Sequence, residues 1–144
     1  MTHTSSATGT WRGTLGTGTG SVDLTGSRTV TLPLSWEARI AEEDPASGTT
    51  TPEELLASAL AGSYAMTLAN ALAAQGISPE VVTAGAEVEF DQDKGVTGID
   101  LTVIVRAEGL VRAELLNCAE RTKRACPIAR VLHRVPLRLS ADLA

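Results

Sequence analysis

With 144 residues the chain can bury one core but is short for two, so a single domain over 1–144 is expected, with 1–9 as a short mobile tail. Hydrophobic residues make up 43% and charged residues 20%, near globular values, but aromatics only 3%, which leaves Ala, Leu and Val to build a closely packed core. The formal net charge of −5 argues against nucleic acid as a partner, because phosphates reward a basic face.

The N-terminal MTHTSSATGT has neither a basic n-region nor an apolar h-region and does not read as a secretory signal. Glu53, Glu54, Asn70 and Gln75 punctuate the most apolar stretch before it reaches the ~18 uninterrupted residues of a membrane span. A soluble, cytoplasmic protein with no membrane partner is therefore expected. The two cysteines, Cys118 and Cys126, cannot make the disulfide framework of a secreted scaffold and lack a four-ligand zinc pattern. No metal is expected, and in a reducing compartment both are free or redox-active thiols.

From Thr10 to Arg39 the chain runs in short Thr- and Val-rich stretches broken by glycine. Val30, Leu32 and Leu34 alternate with Thr29, Thr31 and Ser35, the period of a half-buried strand, and the strand pattern is taken through RTVTLPLSWEARI. Gly16, Gly18 and Gly20 mark a hairpin connection. GTGTGS has neither the lysine of a phosphate-binding loop nor a helix after it, so it does not cradle phosphate. AEEDPASGTT is a polar loop with Pro45 and Gly48 as breakers.

The clearest helix start follows: Thr51 as N-cap, Pro52 at N1, Glu54 at N3 completing a capping box, and Glu53 beside it in the first turn. The helix runs through LLASALAGSYAMTLANALAAQ and stops at Gly76. It is apolar almost all the way round, which calls for cover on every side. So small a domain has little to wrap round it, and a second copy of the chain is expected to supply part of the cover, with Ala61, Gly62 and Ala65 small enough to permit close approach.

Two strands, VVTAGAEVEFDQ and VTGIDLTVIVRAE, follow, joined by a hairpin turn at DKG. LVRAELLNCAERTKRA is an amphipathic helix with Leu115, Cys118, Ala119 and Thr122 on one face, ended or restarted by Pro127. VPLRLSADL closes the chain as a strand. The order β-β-β-α-β-β-α-β defines an α+β protein without internal repeats.

Cys126 precedes Pro127 and can sit at the N-cap of a short helix. The partial positive charge of that helix end, with Lys123, Arg124 and Arg130 close in sequence, would favour a thiolate there. A buried structural cysteine is the alternative. Cys118 lies on the apolar face of its helix and reads as core. Its eight-residue spacing from Cys126 matches neither a CxxC pair nor a metal clip, and a disulfide between them would need a sharp bend at the helix end. His133 beside an apolar run is a candidate base but fits equally well as a packed or surface residue. His3 falls in the tail.

TTTPEELLASALAGSYAMTLANAL, followed some sixty residues later by AERTKRACPIARVL, resembles the OsmC/Ohr family of organic hydroperoxide reductases. The resemblance rests on the Pro-Glu-Glu-Leu helix start, a small-residue run ending at the reactive position and an aromatic, and an Ala-Cys-Pro that opens a helix. It extends from about Trp11 to the end. It implies an intertwined homodimer whose central helices are wrapped by two sheets, with an apolar substrate pocket at the subunit interface lined by Tyr64 and Met66. The implied activity is a thiol-dependent peroxidase of oxidative-stress defence, with no bound cofactor and an external dithiol reductant of lipoyl type. A thiolate on the central helix attacks an organic hydroperoxide, and a second cysteine condenses with the resulting sulfenic acid. Carried over position by position, the resolving cysteine falls on Cys126, the glutamate that holds an arginine on Glu53, and the arginine on Arg39. Glu53 as a plain helix-start carboxylate and Arg39 as a solvated strand residue are the alternatives.

The reactive cysteine falls on Ser63, within SALAGSYAM. A hydroxyl is essentially un-ionised at neutral pH and cannot cycle through sulfenic acid and disulfide. Three readings stand: a deliberate Cys→Ser replacement, a natural paralogue that has lost peroxidase chemistry and binds a small apolar molecule as a dimer, or a one-thiol enzyme working through Cys126 and resolved by Cys118. A serine hydrolase at Ser63 would need His133 as its base.

Overall fold

The computed structural model describes residues 1–41 and 48–144, so Pro45 and the middle of the polar loop lie outside the described residues. Ten elements follow one another: β1 (Thr8–Arg12), β2 (Thr19–Asp23), β3 (Thr31–Leu34), α1 (Trp36–Ile40), α2 (Pro52–Ala73), β4 (Pro79–Asp91), β5 (Gly95–Ala107), α3 (Arg112–Ala125), α4 (Pro127–Val131) and β6 (Leu137–Leu143). This is the expected α+β order with two five-residue helices added. The chain divides into two compact units, Met1–Leu55 and Leu56–Ala144.

In the first unit β1, β2 and β3 form an antiparallel sheet in that order, with Trp11 opposite Gly20 and Val22 opposite Leu32. Two of the three hairpin glycines are sterically required. A Cβ on Gly20 would meet the Trp11 ring at 2.5 Å, and one on Gly18 would run into the carbonyls of Thr14 and Arg12. Gly16 has open space around it. The N-terminus is tied in at Ser6, whose carbonyl accepts from the Gly26 amide at 2.9 Å.

The strand reading of 29–39 holds only for Thr31–Leu34: Val30 lies before the strand and is exposed, and SWEARI turns into α1. The reason is local. The Ser35 hydroxyl accepts from the Ala38 amide at 3.0 Å as an N-cap, and Glu37 sits in the first turn. Arg39 is thus a helical residue, not a strand residue.

α2 begins as read, with the Thr51 hydroxyl accepting from the Glu54 amide at 3.1 Å and Pro52 as its first residue. It ends in a Schellman turn: Ile77 N donates to Leu72 O at 3.1 Å, and Gly76 takes φ +78. In the second unit β4 and β5 pair antiparallel and β6 joins β5 in parallel, giving the order β4-β5-β6. A parallel partner needs a crossover, and α3 with α4 provides it. At the β4–β5 turn Asp91 Oδ1 accepts from the Asp93 and Lys94 amides, both at 2.9 Å.

Leu60, Tyr64, Leu68 and Leu72, spaced four apart, bury one stripe of α2 in a core with Ile99, Leu101, Val103 and Val105 of β5 and Leu115, Cys118 and Ala119 of α3. The face of α3 expected to be buried, including Thr122, is buried. Among the described residues α2 is not covered on every side: Ala59, Gly62 and Ala73 are exposed and Met66 is 77% exposed. By length and composition alone α2, with a mean hydropathy of 1.3, is long and apolar enough to cross a bilayer, because its interrupting charges sit at one end. The buried stripe identifies it as a core helix.

Candidate functional site

Ser63 lies midway along α2, one position before the buried stripe residue Tyr64. Cys126 is shared between two helices. Its amide donates to Thr122 O at 2.8 Å to close α3, and its carbonyl accepts from Arg130 N at 3.0 Å to open α4, with Pro127 at N1. The thiol is fully buried and donates to Ser63 Oγ across 3.3 Å. The helix-start position read from the sequence is therefore present, but Cys126 also caps the far end of α3. The positive end of a five-residue helix and the negative end of a fourteen-residue one meet at the same residue, so their fields on the sulfur oppose each other.

Tyr64 pins the two helices. Its hydroxyl donates to Ala119 O at 2.7 Å inside the core. Burial pushes this phenol well above its ordinary range, and Glu120, Cys118 and Cys126 add to the effect, so it stays a neutral donor. Tyr64 and Met66, expected to line one pocket, lie on opposite sides of α2 in the single chain, the first in the core and the second facing out.

In the first unit Arg39 from α1 and Glu53 from the first turn of α2 form a two-pronged ion pair. Arg39 Nε donates to both carboxylate oxygens at 3.2 Å, and Nη2 donates to Oε1 at 2.7 Å. Glu53 is only 8% exposed, so this is the fork-to-fork geometry in which a guanidinium holds a buried carboxylate and is itself held.

The remaining sequence candidates stay apart from this chemistry. Cys118 is buried against the core, accepting from Gln75 Nε2 at 3.2 Å. Eight residues separate it from Cys126 along α3, about 12 Å of helical rise, roughly twice the Cα separation a disulfide spans. Pairing of Cys118 with Cys126, left open by the sequence, is thereby excluded while α3 is intact, and the one-thiol reading loses its resolving partner. His133 Nδ1 faces Arg130 O at 3.2 Å, so that nitrogen carries the hydrogen. The hydroxyl of Ser63 is engaged by Cys126 and not by His133, which removes the base from the hydrolase reading.

Three features escaped the sequence: α1, the double capping role of Cys126, and the lack of a hydrogen-bond partner, among the described residues, for the buried hydroxyl of Thr122. Ser35 ahead of a Trp-Glu-Ala run was the available signal for the first.

This chain belongs to the OsmC-like protein family, which it matches over residues 44–140. It is similar to the peroxiredoxin OsmC of Escherichia coli K12, 28% identical over 125 residues that make up 85% of each chain. Solved structures share the fold. An organic hydroperoxide resistance protein OsmC from Legionella pneumophila superposes with a TM-score of 0.74 at 24% identity, over 97% of both chains. An organic hydroperoxide resistance protein from Elizabethkingia anophelis gives 0.77 at 16% identity, over 100% of this chain and 99% of its own.

Proposed function

We propose that this chain carries the organic-hydroperoxide site of an OsmC/Ohr-type thiol peroxidase with the first of its two thiols replaced by the hydroxyl of Ser63. The observation that carries this reading is the 3.3 Å contact between Ser63 Oγ and Cys126 Sγ, a separation from which a sulfenic acid at 63 and a thiol at 126 would condense. With a cysteine at 63, its thiolate takes the distal oxygen of ROOH. An S–O bond forms, the O–O bond breaks, and ROH leaves with a proton. Cys126 then displaces water from the sulfenic acid to form the disulfide, and an external dithiol of lipoyl type reduces it by exchange. Ser63 supplies none of the first step, so two-thiol turnover is absent from the chain as it stands.

The reading includes a homodimer. In this reading the Arg39–Glu53 pair that serves position 63 comes from a second copy of the chain. A second copy running antiparallel along the exposed Ala59–Gly62–Met66 face would bring its own Arg39–Glu53 pair to Ser63. That arrangement also covers the apolar side of α2. An interface pocket lined by such residues favours alkyl and fatty-acid hydroperoxides over hydrogen peroxide, in a soluble cytoplasmic protein acting on small molecules.

The test is consumption of cumene hydroperoxide under a dithiol reductant by the chain and by Ser63→Cys. Turnover by the variant alone is the expected result. Activity in both would mean that Cys126 works unaided and would overturn the reading. The rival is a dimer that binds a small apolar ligand without turnover. Ser63 itself favours it, and it takes precedence if neither protein is active and the purified dimer retains a lipid-like molecule.

A further inference from the structure

Between Arg121 and Arg138 the chain carries Arg121, Lys123, Arg124, Arg130 and Arg134 and not a single Asp or Glu, in a protein whose net charge is −5. The fold gathers part of this run round a cavity of about 590 Å³ within the second unit, where Lys123, Arg124, Arg130 and His133 form the polar wall. The rest of the lining is apolar: Ala129, Leu132, Val135, Pro136 and Leu137. Arg106, Arg112 and Arg138 each pair with a carboxylate, but among the described residues Lys123, Arg124 and Arg130 have no ion-pair partner.

Lys123 and Arg124 have an obvious structural use, since cations in the last turn of α3 offset its dipole. That account does not cover Arg130 on α4 or His133 beyond it. Nor does it explain why Arg124, Arg130 and His133, all exposed, gather without a carboxylate round a cavity that is also lined by Leu132, Val135 and Leu137. Exposed like charges repel one another, and an anion with a hydrocarbon portion would offset that repulsion while covering the aliphatic lining.

We propose that this cavity binds a small amphipathic anion, an aliphatic carboxylate, with its charge among Lys123, Arg124 and Arg130 and its chain on Leu132, Val135 and Leu137. The volume lies in the range of small-ligand sites. Inorganic phosphate or acetate would satisfy the cations and leave the aliphatic wall wet. The site is separate from the Ser63–Cys126 contact, although α4 forms part of its wall and also carries Cys126 at its start.

The test is an amide chemical-shift titration of the full chain with octanoate, acetate and inorganic phosphate at constant ionic strength. Octanoate should move Ala129, Leu132 and Val135 saturably, at least tenfold more tightly than acetate or phosphate. Lys123→Gln combined with Arg130→Gln should weaken it at least fivefold, while Arg112→Gln, which removes a cation paired elsewhere, should not. Equal affinity for all three anions, shifts centred on Ser63 and Met66, or binding to anionic phospholipid vesicles without binding to octanoate would each overturn the proposal. Because the mapping uses the unaltered chain, it holds even if the double variant misfolds.

Discussion

The two units of this chain are held together by different physics. In the first, strands of four and five residues carry threonine and glycine, and among the described residues only Ala38 and Glu53 are buried. In the second, β5 runs thirteen residues with Ile99, Leu101, Val103 and Val105 closed to solvent, and α2 and α3 pack further apolar side chains into the same core. The first unit thus depends on hydrogen-bond register, close glycine approach and one ion pair, whereas the second depends on apolar burial. The difference shows that an α+β order read from sequence need not distribute stability evenly.

The sharpest way to break this comparison is to truncate one leucine in each unit. Leu68→Ala, which opens a void in a fully buried stripe, should cost about 2–5 kcal/mol in denaturant unfolding, while Leu32→Ala on a half-buried strand should cost less than about 1 kcal/mol. Equal losses would mean that the first unit has a core of its own. A smaller effect, about 1–2 kcal/mol, is expected from Glu53→Gln, which removes the charge that Arg39 grips. The value is reduced from that of a fully buried pair because the Arg39 side chain is 32% exposed. In the Ser63→Cys background the same change should lower peroxidase turnover by more than its effect on stability explains.

The smallest effect lies at the surface of the second sheet. Hydrogen bonds from Arg138 hold the Asp100 carboxyl below its usual range. A carboxyl lowered on folding contributes stability above its unfolded value near pH 4 and loses it as pH falls through the folded value, so stability should decline on acidification below about pH 4. In Arg138→Gln the Asp100 part of that decline should vanish from melting curves recorded between about pH 2 and 6.

How much of this was legible in the sequence depends on the range of the interaction involved. The start of α2 at Thr51–Pro52, its end at Gly76, the buried face of α3 and the α+β order are all set by residues within one turn of each other, and pattern reading found them. The change from strand to helix at Trp36 was missed because two alternating leucines outweighed a single serine cap. The charges near Cys126 and the end of α3 before Pro127 were both visible, but not that one residue closes α3 and opens α4, since that depends on the backbone hydrogen bonds on its two sides. The resemblance suggested Arg39 and Glu53 as partners. Spacing could not have done so, since they stand fourteen positions apart in the chain.

The hydrogen bond from Tyr64 to Ala119 works as an alignment key between two helices that otherwise meet through smooth aliphatic surfaces. A slide of one turn, about 5.4 Å, would keep leucine against leucine and lose little packing, yet it would set Ala59 or Thr67 opposite Cys126 in place of Ser63. By having a single acceptor to reach, the phenol decides which rung of α2 the thiol meets.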